Sequence, residues 1–196
     1  MTDRKAEVSR KTYETDIQLS LNVDGNGEAD ISTGIGFFDH MLTLLTRHAL
    51  FNMTISARGD LAVDGHHTVE DIGICLGQAL KAAMEDKSGI TRYGTILIPM
   101  DEALARIALD ISGRPHLDWR VEMPTDRVGL FDTSLAREFF KAICSNAGLN
   151  MHVELIYGED SHHCLEALFK GLGRVLRTAL TIDPREPGVP STKGTL

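Results

Sequence analysis

Histidine and glutamate side chains recur at a spacing that could bind metal ions. On a helix, residues three and four apart share a face, so His67 can reach the same cation as Glu70, and His163 the same cation as Glu166. Adjacent helical residues lie about 100° apart, so neighbouring histidines should bind different ions. We therefore predict two metal ions. The motifs are DGHHTVED at 64–71 and DSHHCLEA at 160–167.

Each metal ion would take one His-x-x-Glu pair and the remaining histidine of the other motif. One further ligand for each would come from the preceding helix. The predicted sets are His67, Glu70 and His162 with His40 or Glu138, and His163, Glu166 and His66 with the other of these two. The spacing leaves open whether the sets meet in one subunit or across an interface. Imidazole and carboxylate suit Mn, Fe, Zn or Ni, and the absence of thiolates argues against a structural zinc site.

A single His-His pair is more often a loop or helix-cap feature. Asp64 and Asp160, two residues ahead of each pair, fit such caps, but capping does not explain the histidines. We expect ordinary structural roles for His116 and His152. His48 lies on roughly the same helix face as His40, and the spacing leaves open whether it lines the site.

The motifs belong to an internal duplication. Residues 66–84 align with 162–180 at an offset of 96, with seven of nineteen positions identical. A second stretch aligns FNM at 51–53 with LNM at 149–151, which places Glu138 opposite His40. The chain is therefore predicted to contain two copies of a unit of about 90 residues.

Hydrophobic periodicity predicts the same elements in both copies. Apolar residues alternate as in strands near 17–23, 28–33 and 53–57, and near 107–111, 117–123 and 151–155. They follow helical spacing over 41–49, 69–83, 139–143 and 165–179. The order is β-β-α-β-α, twice, with an extra strand near 93–98. This predicts an α+β fold with two four-stranded sheets and paired helices, divided into repeats at 1–91 and 92–182.

Composition excludes several classes of protein. The net charge of −8 argues against a nucleic-acid or anionic-membrane binder. No apolar run approaches the roughly 20 residues of a membrane helix, and the polar start at 1–10 lacks a signal core. Three cysteines without a C-x-x-C pair indicate small buried residues in a reducing compartment, and a cytoplasmic location is expected.

The segment 183–196 contains three prolines and two glycines, so it should form neither a helix nor a central strand. It is either a frayed terminus or a flexible tail that acts as a lid, whose Ser191, Thr192 and Lys193 reach a ligand.

Several segments together resemble the imidazoleglycerol-phosphate dehydratase family. They are GIGFFDHML (34–42), DGHHTVEDIGICLGQAL (64–80), RYGTILIPMDEALA (92–105), DISGRP (110–115), DSHHCLEALFK (160–170) and PSTKG (190–194). The resemblance implies a duplicated fold of the ribosomal S5 domain 2-like type. It also implies loss of water from D-erythro-imidazoleglycerol phosphate to give imidazole acetol phosphate in histidine biosynthesis. Two Mn²⁺ per site and a 24-subunit homo-oligomer with sites between subunits are implied as well.

The resemblance also implies roles for individual residues. One manganese ion would bind His40, His67, Glu70 and His162, and the other His66, His163 and Glu166. Glu138 stands where the family commonly has a histidine, and its carboxylate can still bind Mn²⁺. The implied substrate contacts are Glu14, His40, His48, Arg92, Arg114, Lys170, Ser191 and Lys193. The cationic members would bind the phosphate despite the negative net charge.

The chemistry requires a weakly acidic C–H proton to leave, and cations on the ring nitrogens would stabilise the developing charge. Glu14 is the candidate for proton transfer, with His48, Glu70 and Glu166 as rivals. Two other functions use the same ligands. One is a dinuclear metallohydrolase with a bridging hydroxide, and the other is a non-catalytic cage or store assembled by metal ions.

Overall fold

A computed structural model describes residues 4–196 as two four-stranded sheets and four helices, with a small hairpin. The strands are β1 (Lys5–Lys11), β2 (Thr15–Asn22), β3 (Ala29–Ser32), β4 (Asn52–Gly59), β5 (Tyr93–Met100), β6 (Ala103–Asp110), β7 (His116–Arg120), β8 (Arg127–Val128), β9 (Phe131–Asp132) and β10 (Asn150–Tyr157). The helices are α1 (Gly36–Ala49), α2 (His66–Ala83), α3 (Leu135–Ala147) and α4 (Ser161–Leu180).

Both sheets have the same topology, which confirms the duplication. Their strand orders are β1-β2-β4-β3 and β5-β6-β10-β7. The first three strands of each sheet pair antiparallel, and the last strand pairs parallel to its neighbour. In the strands β2 and β6, buried residues alternate with more exposed ones, as expected for sheets with one covered face.

The first repeat begins with a strand that the periodicity did not predict. The strand β1 (KAEVSRK) is charged, and Ala6 and Val8 are its two partly buried apolar residues. Such a short apolar pattern is typical of an edge strand. Two apolar residues are too few for the periodicity to indicate a strand. The strand β1 is the counterpart of β5, the extra strand predicted near 93–98. The main elements of each repeat therefore follow the order β-β-β-α-β-α. The first three residues of the predicted polar start, 1–3, lie outside the described part.

The four helices form a layer between the sheets and share one hydrophobic core. The helix α2 packs on the first sheet and on α3, while α4 packs on the second sheet and on α1. Each repeat therefore completes its core with helices of the other. Within residues 4–196, no helix is long and apolar enough for a bilayer span.

Both helix pairs cross closely at equivalent glycines. A Cβ on Gly77 would lie 2.7 Å from Cβ of Asn146, and one on Gly173 would lie 2.5 Å from the carbonyl oxygen of Leu45. In each pair, the C-terminal half of one helix contacts the C-terminal half of the other, so the paired helices run parallel. Gly65, just before α2, also lies beside Ile35 and Leu135, so the helix N-termini share one end of the molecule.

Candidate active site

All eight predicted metal ligands lie at the end where the four helices begin. There α1 and α4 bring together His40, His162 and Glu166, whose ligand atoms lie within 4.8 Å of one another. The Glu166 Oε1 atom lies 2.8 Å from His40 Nε2 and 3.2 Å from His162 Nε2. Within residues 4–196, no other group of three His, Cys, Asp or Glu side chains brings its ligand atoms this close together.

Lys170 anchors the carboxylate of this cluster. One helical turn after Glu166, its Nζ donates to Glu166 Oε2 at 2.6 Å. Burial of the Glu166 carboxylate opposes ionisation, but the hydrogen bonds from Lys170 and His40 outweigh it and lower its pKa to about 2. Glu166 is therefore an anion, as a metal ligand must be.

The structure pairs the ligands differently from the predicted helix spacing. Glu166 meets His162, four residues earlier, whereas His163 points away towards the β5–β6 hairpin. The His163 Nδ1 atom lies 2.8 Å from Glu102 Oε2. The adjacent rings of His162 and His163 are nearly perpendicular, at 75°, so neighbouring histidines do face different directions as the spacing predicted.

His67 is oriented in the same way as His163. Its Nδ1 lies 3.0 Å from Asp60 Oδ2. The hydrogen bonds of Asp60 and Glu102 raise the pKa values of their respective histidines. In both rings a carboxylate at Nδ1 leaves Nε2 as the available ligand atom, an arrangement common around metal-bound histidines.

The sequence interpretation missed Asp60 and Glu102. A signal for Glu102 does exist, because β2 and β6 align at an offset of 88, which places Glu102 opposite Glu14. Both lie in hairpins next to a histidine of the metal motifs. Asp60 has no such counterpart, since β4 and β10 align at an offset of 98 and the equivalent residue is Gly158.

The repeat-related side, formed by α2 and α3, is arranged differently. His66, Glu70 and Glu138 occupy the positions of His162, Glu166 and His40, but they do not form a comparable cluster in the described chain. Glu138 instead lies 3.2 Å from Lys141 Nζ and 3.6 Å from Arg137 Nη1. His66 lines a groove of about 780 Å³ that also contains Leu61 and Leu130.

Asp160 is the N-cap residue of α4, as predicted, whereas the N-cap residue of α2 is Gly65 and Asp64 lies one residue before it. Asp64 accepts a hydrogen bond from the backbone N–H of His66 at 2.7 Å, and Asp160 from that of His162 at 2.8 Å. These contacts fix the helix starts, so they determine where the paired histidines begin.

Glu14 and His48 lie in different surroundings. Glu14 is exposed in the β1–β2 hairpin, with Oε1 3.6 Å from His67 Nε2. His48 lies about 12 Å along α1 from His40 and contacts α4 near Gly173. Burial, and then the charges of Lys170 and Arg174, lower the pKa of His48, which favours its neutral form.

The predicted phosphate-binding residues lie in two places: Lys170 is at the metal-ligand cluster, whereas the others gather in a separate groove. A groove of about 670 Å³ is lined by Arg92 and Arg114 together with the tail residues Ser191, Thr192 and Lys193. Arg92 is held by Asp110, with Nε to Oδ1 at 2.7 Å, and by the carbonyl oxygen of Pro190 at 2.8 Å. The tail contains no helix or strand, as predicted, and it covers this groove.

The two places lie at opposite ends of α4. The backbone N–H of Arg92 donates to the carbonyl oxygen of Ala179 near the end of α4, whereas His162 lies in its first turn. With a rise of about 1.5 Å per residue, about 25 Å of helix separates them.

Known proteins share both the sequence and the fold. The model of the family described as imidazoleglycerol-phosphate dehydratase matches residues 33–176. The enzyme of that name from Methylorubrum extorquens is 58% identical over 98% of this chain and 100% of its own. Its counterpart from Bacillus licheniformis is 55% identical over 98% of this chain and 100% of its own.

Two solved structures agree with these relatives. The crystal structure of the Staphylococcus aureus dehydratase has a TM-score of 0.83 and 44% identity, covering 91% of this chain and 99% of that chain. That of the Pyrococcus furiosus enzyme, in complex with (S)-C348, has a TM-score of 0.83 and 38% identity, covering 96% and 100%. This chain therefore belongs to the imidazoleglycerol-phosphate dehydratase family of hydro-lyases.

Proposed function

We propose that this chain removes water from D-erythro-imidazoleglycerol phosphate to give imidazole acetol phosphate, with two Mn²⁺ per active site. The convergence of His40, His162 and Glu166 carries this proposal, because two imidazoles and an anionic carboxylate form a donor set for a divalent transition metal. The reducing compartment indicated by the cysteines supports a cytoplasmic location.

The distances in this cluster fit a metal ion. Adjacent ligands of an octahedral ion with bonds of about 2.1 Å lie about 3.0 Å apart. The separations of Glu166 Oε1 from the two Nε2 atoms are 2.8 and 3.2 Å. The side chains of His40 and His162 are 44% and 42% exposed, so the remaining coordination positions face outwards.

We infer that neighbouring subunits complete each site. One chain separates its metal ligands from its phosphate groove by about 25 Å of helix, which is longer than the proposed substrate. The Nε2 atoms of His67 and His163, each with a carboxylate 3.6 or 3.8 Å away, are suited to bind metal ions next to a partner subunit. The groove beside His66 supports such contacts, since the fully exposed Leu130 on its rim is an apolar surface that a partner would cover.

We therefore propose a closed homo-oligomer, with 24 subunits as the family resemblance implies. In it the metal end of one chain meets the groove of Arg92, Arg114, Ser191 and Lys193 of another. The ligand sets proposed above, including Glu70 and Glu138, would then be completed between chains. A closed assembly would use the same contact surfaces in every subunit.

The reaction requires a proton and a hydroxyl group to leave neighbouring carbon atoms. Loss of the hydroxyl from the carbon on the ring, and of a proton from the next carbon, gives an enol that tautomerises to the ketone. Bound Mn²⁺ would withdraw charge from the imidazole ring. Glu14 would accept the proton, because it is exposed and lies beside His67. His48, Glu70 and Glu166 are the alternative groups.

The test combines manganese analysis with a dehydratase assay on purified protein before and after chelation. We expect about two Mn²⁺ per subunit, with activity lost on chelation and restored by Mn²⁺. His162→Ala should abolish turnover, whereas His152→Ala, on the exposed face of β10, serves as a matched control and should not. Release of inorganic phosphate would indicate a metallohydrolase instead, and full activity without metal would refute the proposal.

A further inference from the structure

A lysine outside the predicted site lies behind the residues that line the phosphate groove. Lys87 follows α2 in the turn before β5, and its Nζ lies 3.4 Å from the point that a Cβ on Gly113 would occupy. Leu196, which lines the groove, lies 2.8 Å from the same point. Gly113 directly precedes Arg114, so the ammonium group of Lys87 is next to the basic lining.

Lys87 forms no close ion pair in the described part of the chain. Within residues 4–196 its side chain makes no hydrogen bond or ion pair, and it is partly buried. Burial, and then the like charges of Lys81 and Arg92, lower the pKa of Lys87. A partly buried cation among other cations is destabilising unless an anion binds beside it.

The backbone at Lys87 is also unfavourable. Its φ is +63°, in the left-handed region where residues with a Cβ are disfavoured and glycine or asparagine is preferred. An asparagine would suit the backbone better than lysine does. The backbone conformation therefore gives lysine no advantage over asparagine at this position.

We propose that Lys87 is a further phosphate-binding residue, whose ammonium group helps to bind the substrate's phosphate in the groove of Arg92 and Arg114. This rests on the proposed function. Asp110 already balances part of the charge of Arg92, and Arg114 is exposed to solvent. A partly buried, unpaired ammonium group would hold a phosphate more strongly than an exposed one, because water screens it less.

The test uses Lys87→Asn in the manganese-loaded oligomer, since this change removes the charge and suits the backbone. A hydrogen bond to a charged group contributes roughly tenfold or more in binding, so KM should rise at least about tenfold with kcat changed less than about twofold. The melting temperature should stay the same or rise, which a merely structural role would not produce. Lys87→Arg should retain most of the affinity.

Lys81→Gln is the matched control, because it removes one exposed positive charge from the same region and should leave KM unchanged. Calorimetric titration with inorganic phosphate provides a second measurement that needs no turnover. If Lys87→Asn weakens phosphate binding while wild-type protein fails to dehydrate the substrate, the proposed function is refuted but the role of Lys87 stands. Wild-type KM and phosphate affinity in Lys87→Asn, or no phosphate binding by wild-type protein, would overturn the role of Lys87.

Discussion

The two helix pairs have repeat-related sequences, yet within one chain they arrange the predicted metal ligands differently. On the α1–α4 side, Glu166 is held between His40 and Lys170. On the α2–α3 side the position of Lys170 is taken by Ile74, and that of His40 by Glu138. Glu70 therefore lacks the ammonium partner that anchors Glu166.

This difference shows that the duplicated motif alone does not build a cluster. For the ligands to converge, a cation must hold the carboxylate. In addition, the neighbouring helix must supply a neutral ligand. Two carboxylates without a cation would repel each other, and Glu138 turns instead to Lys141. The α2–α3 side therefore depends more strongly on metal ions and partner chains for its order.

The largest expected effect comes from removing the central carboxylate of either side. Glu166→Ala should remove one Mn²⁺ per subunit and lower activity by more than the roughly 10–100-fold lost with an outer-shell partner. Glu70→Ala should remove the other ion and leave the first in place. Metal analysis and steady-state kinetics measure both effects, with the exposed Glu122→Ala as a control. Retention of both ions by Glu166→Ala would contradict the comparison.

An intermediate effect is expected from filling the two helix crossings. Alanine at residue 173 would press against backbone atoms of Leu45 and Ala49, at 2.5 and 3.0 Å. Overpacking of this kind lowers the free energy of unfolding by about 1–3 kcal/mol. The higher helix propensity of alanine offsets up to about 1 kcal/mol of this loss.

Gly77→Ala should destabilise less, because its closest contacts are longer: 2.7 Å to the Cβ of Asn146 and 3.0 Å to the backbone oxygen of Ile143. Denaturant unfolding of both variants gives the two free energies of unfolding. Equal values would show that the two crossings are equally rigid.

The smallest effect should come from making the two sides more alike. Glu138→His replaces the carboxylate by the ligand type found at His40, so we expect two metal ions still to bind. Affinity should shift by a few-fold from Mn²⁺ towards Zn²⁺, because imidazole suits zinc better than carboxylate does. Competition between the two ions measures this shift, and Glu138→Gln is the control. A complete loss of the second ion would show that this position requires a negative charge.

Periodicity predicted every helix and most strands because burial imposes a repeat of 3.6 or 2 residues on the chain. It failed at β1, whose inner face offers little apolar surface, and at the short hairpin β8–β9, which is too short for any period. The cysteines were predicted correctly as buried residues. Cys75, Cys144 and Cys164 are all buried, and burial raises their pKa values to about 11, 12 and 11.

The sequence by itself determined which residue types are available and on which helices they begin, since duplication and helical spacing are properties of neighbouring residues. It did not determine that Glu166 meets His162 and His40 rather than His163. That choice depends on how α1 crosses α4 at Gly173 and on the hairpin carboxylate that turns His163 away. These contacts join residues far apart in the chain, so packing of the whole core decides them and local spacing cannot.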